Sequence, residues 1–136
     1  RAQHVSELIK PAIQRGAVVI CDRFFDSTTA YQGYARGLNM EFIVQLNRFA
    51  TSGTIPYITI LLDLTAVVSI DRGSRRKETL LGEDRIESDK IDFHKRVRDG
   101  FLKIADQEPD RIKIIAAIDT IKNILVNIVE SVKPLL

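Results

Sequence analysis

Three short runs, Ala17 to Cys21, Tyr57 to Leu62 and Ile112 to Ala117, read as buried strands and dominate what this chain can fold into. They are rich in Val and Ile and lack the apolar/polar alternation of a half-solvated strand. Continuous runs of this kind are typical of a parallel sheet covered on both faces. The segments between them carry helical spacing. Val5, Leu8, Ile9, Ala12 and Ile13 form one face of an opening helix that Gly16 ends. Phe42, Ile43, Leu46, Phe49 and Ala50 form a second, and Ile86, Phe93, Val97, Phe101 and Ile104 mark a long third. Ile121, Ile124, Leu125, Ile128, Val129 and Val132 form the last, stopped by Pro134.

Helix alternating with buried strand predicts an α/β fold, and 136 residues with 45% apolar content suffice for the core of one domain. In such sheets ligands gather beyond the carboxyl ends of the strands. Acids stand there: Asp22 directly follows the first run, Asp63 the second, and Asp119 follows the third after a short gap. With 20 basic against 18 acidic residues, bulk charge gives no sign of a nucleic-acid or membrane-surface partner. The apolar runs are far too short to span a bilayer. A single cysteine, Cys21, excludes an internal disulfide, fits a reducing cytoplasm, and reads as a small core residue in a strand. His94, among Lys95, Arg96 and Arg98, reads as exposed. No Cys/His set has zinc spacing, and no Ser-His-Asp arrangement can be argued.

Two clusters carry chemistry. The run from Asp22 to Gly33 packs a carboxylate, a guanidinium, several hydroxyls, a phenol and an amide into one segment at a strand end. The planar fork of Arg23 suits a phosphate, and the Ser/Thr residues suit a helix cap. The competing reading is a structural Asp–Arg pair beside a capping Ser. The second cluster is the loop Asp71 to Glu83 with Arg72, Arg75, Arg76 and Lys77, closing on Asp84-Arg85-Ile86-Glu87. A basic loop suits a lid over phosphates; it could equally be a solvated charged loop. Arg1 and His4 lie one turn apart on the opening helix, where surface placement is the commoner outcome. The Tyr31 and Tyr34 pair fits the core as well as it fits base stacking.

Taken in order, Val18 to Phe24, Ser27 to Gly33, Arg36-Gly37, Leu61-Leu62-Asp63, Asp84 to Glu87 and Asp92 to Leu102 resemble the thymidylate kinase family of nucleoside-monophosphate kinases. The likeness covers nearly the whole chain and favours the lid reading. It implies a P-loop NTPase-type parallel sheet flanked by helices, with a lid at about residues 71–87. The implied activity is transfer of a phosphoryl group from ATP to dTMP, giving dTDP, in the cytoplasm. Arg1, Arg23, Thr28, Tyr31 and Gln32 then match substrate-binding positions: Arg23 the dTMP phosphate, Arg1 the base, and the other three the thymine and deoxyribose. Asp22 matches the acid that organises Mg²⁺ through water. Arg75, Arg76 and Arg85 match catalytic arginines of a bacterial-type lid, Arg72 a contact to ATP, and Glu87 an orienter of those arginines. The resemblance also implies a homodimer, with the helices Ala2 to Gln14 and Glu41 to Ala50 as its surfaces. It implies no nucleic-acid or membrane partner.

Departures are informative. Phe24 replaces the more usual Tyr or His, and the lid is somewhat long. No G-x-x-x-x-G-K-[ST] phosphate-binding loop occurs in the 136 residues. The family's sheet order, 2-3-1-4-5, makes the three runs strands 3, 4 and 5. The expectation is therefore a C-terminal fragment, inactive and unfolded by itself, whose first strands belong to an upstream segment. Alternatives are another nucleotide or deoxynucleoside kinase, or a non-catalytic module binding a nucleotide or partner.

Overall fold

The computed structural model describes residues 1–65, Val68 and residues 91–135. The basic loop expected over 71–87, with Arg72, Arg75, Arg76, Arg85 and Glu87, lies outside them, as does Ile86. Helix α1, residues 2–14, is built from Ala2–His4, a π-helical turn Val5–Ile9, and Lys10–Gln14. The wide turn has a local cause. Pro11 has no N–H and its ring crowds the carbonyl four residues back, so the Lys10 N–H reaches Val5 instead. Gly16, at φ +79°, ends the helix in the left-handed region, as expected of a glycine there.

Helix α2, residues 25–35, runs through Phe25–Thr28 and a wider Thr29–Ala35 section. It starts at Phe25 with no side-chain cap, so Ser27 and Thr28 lie inside the first turn and do not cap it. Helix α3, Met40–Thr51, is capped by Asn39, whose Oδ1 accepts from the Phe42 N–H at 2.8 Å. Strand β1, Thr59–Asp63, helix α4, Ile91–Gln107, strand β2, Ile112–Ala116, and helix α5, Ile121–Val132, complete the order. Thr120 caps α5, and Pro134 sits in a 3₁₀ turn, Lys133–Leu135, after its end.

Among the described residues the sheet has two parallel strands, with Thr59 opposite Ile112 and Asp63 opposite Ala116. The expected strand at Ala17 to Cys21 does not form. Ile20 is 92% exposed and Cys21 is exposed too, so neither is the core residue expected. In the implied sheet order neither neighbour of that strand belongs to the 136 residues, and an unpaired segment has no ladder to join.

The core lies where α2 crosses α4. Ala30, Ile104, Ala105 and Ile112 pack with Tyr31, Tyr34, Leu61 and Phe101, while Ala35, Phe93 and Val97 pack with Tyr31 and Phe101. The crossing is close: a Cβ added at Gly100 would stand 2.7 Å from Tyr34 Cβ. Helix α3 is turned from the expected orientation. Ile43, Asn47 and Thr51 are buried, whereas Phe42, Leu46 and Phe49 face outward. Helix α5 lays Ile124, Ile128 and Val132 half-buried and leaves Ile121, Leu125 and Val129 exposed. His94, expected at the surface, is half-buried against Phe93, and its Nε2 finds no hydrogen-bond partner among the described residues. No helix of the described residues is long and apolar enough to cross a membrane.

Candidate nucleotide site

The site is built around the start of α2. Arg23, just before the helix, has φ +66°, a left-handed conformation uncommon for a residue with a side chain. Such a backbone costs on the order of 1–3 kcal/mol and clusters at functional positions. Here it accompanies a guanidinium carried over the ring of Tyr31, 5.7 Å from its centroid. Tyr31 in turn meets Phe93 and Phe101 edge-on at 6.1 and 6.3 Å. Its ring is therefore part of the core, which is one of the two readings offered for it.

Thr28, Tyr31 and Gln32 stand at i, i+3 and i+4, which places them on one side of α2. Arg1 reaches that side from α1. Its Nη2 donates to Thr28 Oγ1 at 2.6 Å and to the Phe24 carbonyl at 3.5 Å, and its Nη1 donates to Asn47 Oδ1 at 2.9 Å. The guanidinium also lies 5.8 Å from the Phe24 ring centroid. Arg1 is thus fixed by three segments, while His4, exposed on α1, is not part of this set. Gln32 is half-buried beside Tyr31.

Asn47 was not anticipated. It is buried, donates from Nδ2 to Thr29 Oγ1 at 3.0 Å and to the Phe25 carbonyl at 3.4 Å, and so ties α3 to α2 and to Arg1. The one signal for it in the sequence is a polar residue four positions from Ile43 and four from Thr51.

The three acids expected at strand ends part company. Asp63 is gripped by Arg98, Nε to Oδ1 at 2.7 Å and Nη2 to Oδ2 at 2.8 Å. Those bonds raise the Arg98 pKa above its ordinary value, outweighing the opposing effect of burial. Asp119 Oδ1 accepts from the Thr120 N–H and the Asn123 amide and so serves the start of α5. Asp22 stays exposed beside Arg23. A structural Asp22–Arg23 pair with a capping Ser is not what forms, since both residues are exposed and the helix start has no side-chain cap.

Beneath α2 lies a second set. Arg111 donates to both oxygens of Asp26 at 2.8 and 2.9 Å, to both oxygens of Glu108 at 2.7 and 3.0 Å, and to Thr59 Oγ1 at 2.9 Å. Burial opposes the charge on Arg111, but the bonds from Asp26 and Glu108 outweigh it, and its pKa rises above the usual guanidinium value. Glu108 is held below the ordinary carboxylate range by its bonds from Arg111.

A family model described as "Thymidylate kinase" matches residues 1–128. The chain belongs to the thymidylate kinase family. It is 48% identical over 120 residues to the thymidylate kinase of Desulfovibrio desulfuricans, covering 86% of this chain and 55% of that one. It is 50% identical over 117 residues to that of Synechococcus sp., covering 86% and 53%. The crystal structure of thymidylate kinase from Ehrlichia chaffeensis matches with a TM-score of 0.73 at 33% identity, over 98% of this chain and 60% of that one. The P-loop NTPase-type fold implied by the sequence resemblance is therefore that of this chain. The chain spans about half the length of the curated thymidylate kinases it matches.

Proposed function

We propose that this chain supplies the acceptor-nucleotide half of an enzyme that transfers a phosphoryl group from ATP to dTMP, giving dTDP. The observation that carries the reading is the pairing of a strained, exposed Arg23 over Tyr31 with an Arg1 hydrogen-bonded to Thr28, all at one helix start. The Arg23 fork suits the dTMP phosphate, and the aromatic and hydroxyl groups of Tyr31 and Thr28, with Gln32, suit a base and sugar. Arg1, already anchored, needs little reorganisation to meet a base edge.

Transfer of this kind depends on positioning and charge neutralisation more than on covalent chemistry. Arg75, Arg76 and Arg85 are proposed to neutralise charge on the transferred group, with Arg72 toward ATP and Glu87 orienting the lid. Mg²⁺ fits Asp22: this ion keeps several waters and needs only one or two carboxylates plus phosphate oxygens. Among the described residues no group of three or more His, Cys, Asp or Glu assembles to chelate a metal directly. Bound there, the ion would neutralise phosphate charge. The exposed thiol of Cys21 fits a reducing, cytoplasmic setting.

The test is Arg23→Ala in the full-length protein. Losing a hydrogen bond to a charged group is worth about 1.5–3 kcal/mol, so kcat/KM for dTMP should fall tenfold or more while the KM for ATP holds. Equal dTMP turnover would sink the assignment, and assays with dUMP, dCMP and thymidine would show which acceptor the site prefers.

A further inference from the structure

The set beneath α2 has no part in the phosphate-binding chemistry, yet it is the most buried charge arrangement among the described residues. The side chains of Asp26 and Arg111 are 8% and 10% exposed. Asp26 lies in the first turn of α2, three residues after Arg23 and two before Thr28. Arg111 lies just before β2, and its carbonyl accepts the Thr59 N–H at 2.8 Å, which locks it to the first residue of β1. Its guanidinium is filled on every edge: Asp26 takes two bonds, Glu108 two and Thr59 one, and its Cζ lies over the ring of Phe25, 5.3 Å from the centroid. The substrate-facing ties on the other side of α2 run through Arg1, which is exposed.

We propose that Arg111 is a positioning residue for the acceptor site: through its bidentate grip on Asp26 it fixes how α2 is rotated against the sheet, and hence where Arg23, Thr28 and Tyr31 stand. The inference rests on the dTMP reading of that site. A rigid two-point fork on the first turn leaves the helix no freedom to roll. A single ammonium would leave a swivel. Displacement of a binding group by about 1 Å can cost a factor of roughly a hundred in such sites.

The experiment uses Arg111→Lys, which keeps the buried positive charge, and Asp26→Asn, which keeps the shape of the side chain and leaves Arg111 paired with Glu108. Both are made in the full-length protein. Titration calorimetry with dTMP and, separately, ATP is combined with hydrogen exchange at the amides of residues 25–35. The expected result for both variants is dTMP affinity weakened at least tenfold, ATP affinity unchanged, and faster exchange in α2 than in α3. A merely structural role would lower the unfolding midpoint while the folded protein kept its dTMP affinity, and that result overturns the inference. A wild-type protein that does not bind dTMP would remove the acceptor reading itself, and this inference with it.

Discussion

Asn47 holds more of the site than its position in the middle of a helix would indicate. Its amide accepts from Arg1 and donates toward α2, so Asn47→Ala removes the partner of Arg1 Nη1 and the bond to Thr29 Oγ1 together. Each such bond contributes about 1 kcal/mol net. The expected outcome is dTMP affinity weakened severalfold in a calorimetric titration, with a lowered urea midpoint. Unchanged affinity would mean that Thr28 and the Phe24 carbonyl suffice to hold Arg1. Arg23, Thr28, Tyr31 and Gln32 fall in one short run of the sequence, so local spacing alone was enough to predict that they stand near one another. Asn47 was not legible in this way, because its role depends on how α3 rolls against α2, and that is set by contacts 18 and 46 residues away. The φ of Arg23 was also beyond reach: nothing in an Asp-Arg-Phe sequence announces a left-handed arginine.

At the scale of elements, two contacts decide the arrangement. Gly100 lets α4 approach α2. Alanine in a helix gains about 1 kcal/mol over glycine from propensity. A Cβ only 2.7 Å from Tyr34 Cβ, an atom fixed to its own backbone, must push the helices apart, and overpacking of this kind costs typically 1–3 kcal/mol. Gly100→Ala should therefore lower the urea midpoint; a raised midpoint would show that the crossing yields. The Arg111 set joins α2 to both strands, and its Glu108 edge is sensitive to pH. The Glu108 carboxyl titrates lower in the folded chain than in the unfolded one. Its contribution is therefore complete above the unfolded value of about 4.5 and is lost as pH falls through the lower folded value. Because Glu108 is nearly half exposed, the effect is screened to on the order of 1 kcal/mol or less. Glu108→Gln should unfold at lower urea than wild type at pH 7, and the gap should narrow as the medium is acidified below the ordinary carboxylate range. Helices α1, α3, α4 and α5 were legible from their periodicity, whereas α2 was not, and the pairing of β1 with β2 follows the sheet order that the family resemblance implies. The rotations of the helices were not legible, because α3 and α5 each carry apolar residues on more than one side and periodicity cannot say which stripe the core takes.

Across the whole molecule, apolar surface among the described residues is left uncovered on several elements, including helices α3 and α5. On α3 it is Phe42, Leu46 and Phe49, the last 81% exposed, and on α5 it is Ile121, Leu125 and Val129. A contiguous apolar stripe on a helix marks a surface that another body covers, and α1 adds Leu8 and Ile13. These α1 and α3 residues lie on the two helices that the family resemblance offers for a homodimer, and we propose that they form it. A stable interface buries roughly 800 Å² per partner and draws its strength from a few central aromatic anchors. Phe42 and Phe49 have that character, since each is large, apolar and exposed among the described residues. Sedimentation of the full-length protein should give a dimer. The double substitution Phe42→Glu, Phe49→Glu should give a folded monomer, because the interface would have to bury carboxylates, whereas Ile121→Glu on α5 should leave the dimer intact. A wild-type monomer would remove the proposal, and a dimer that survives both changes on α3 but dissociates with the change on α5 would move the interface to the other face.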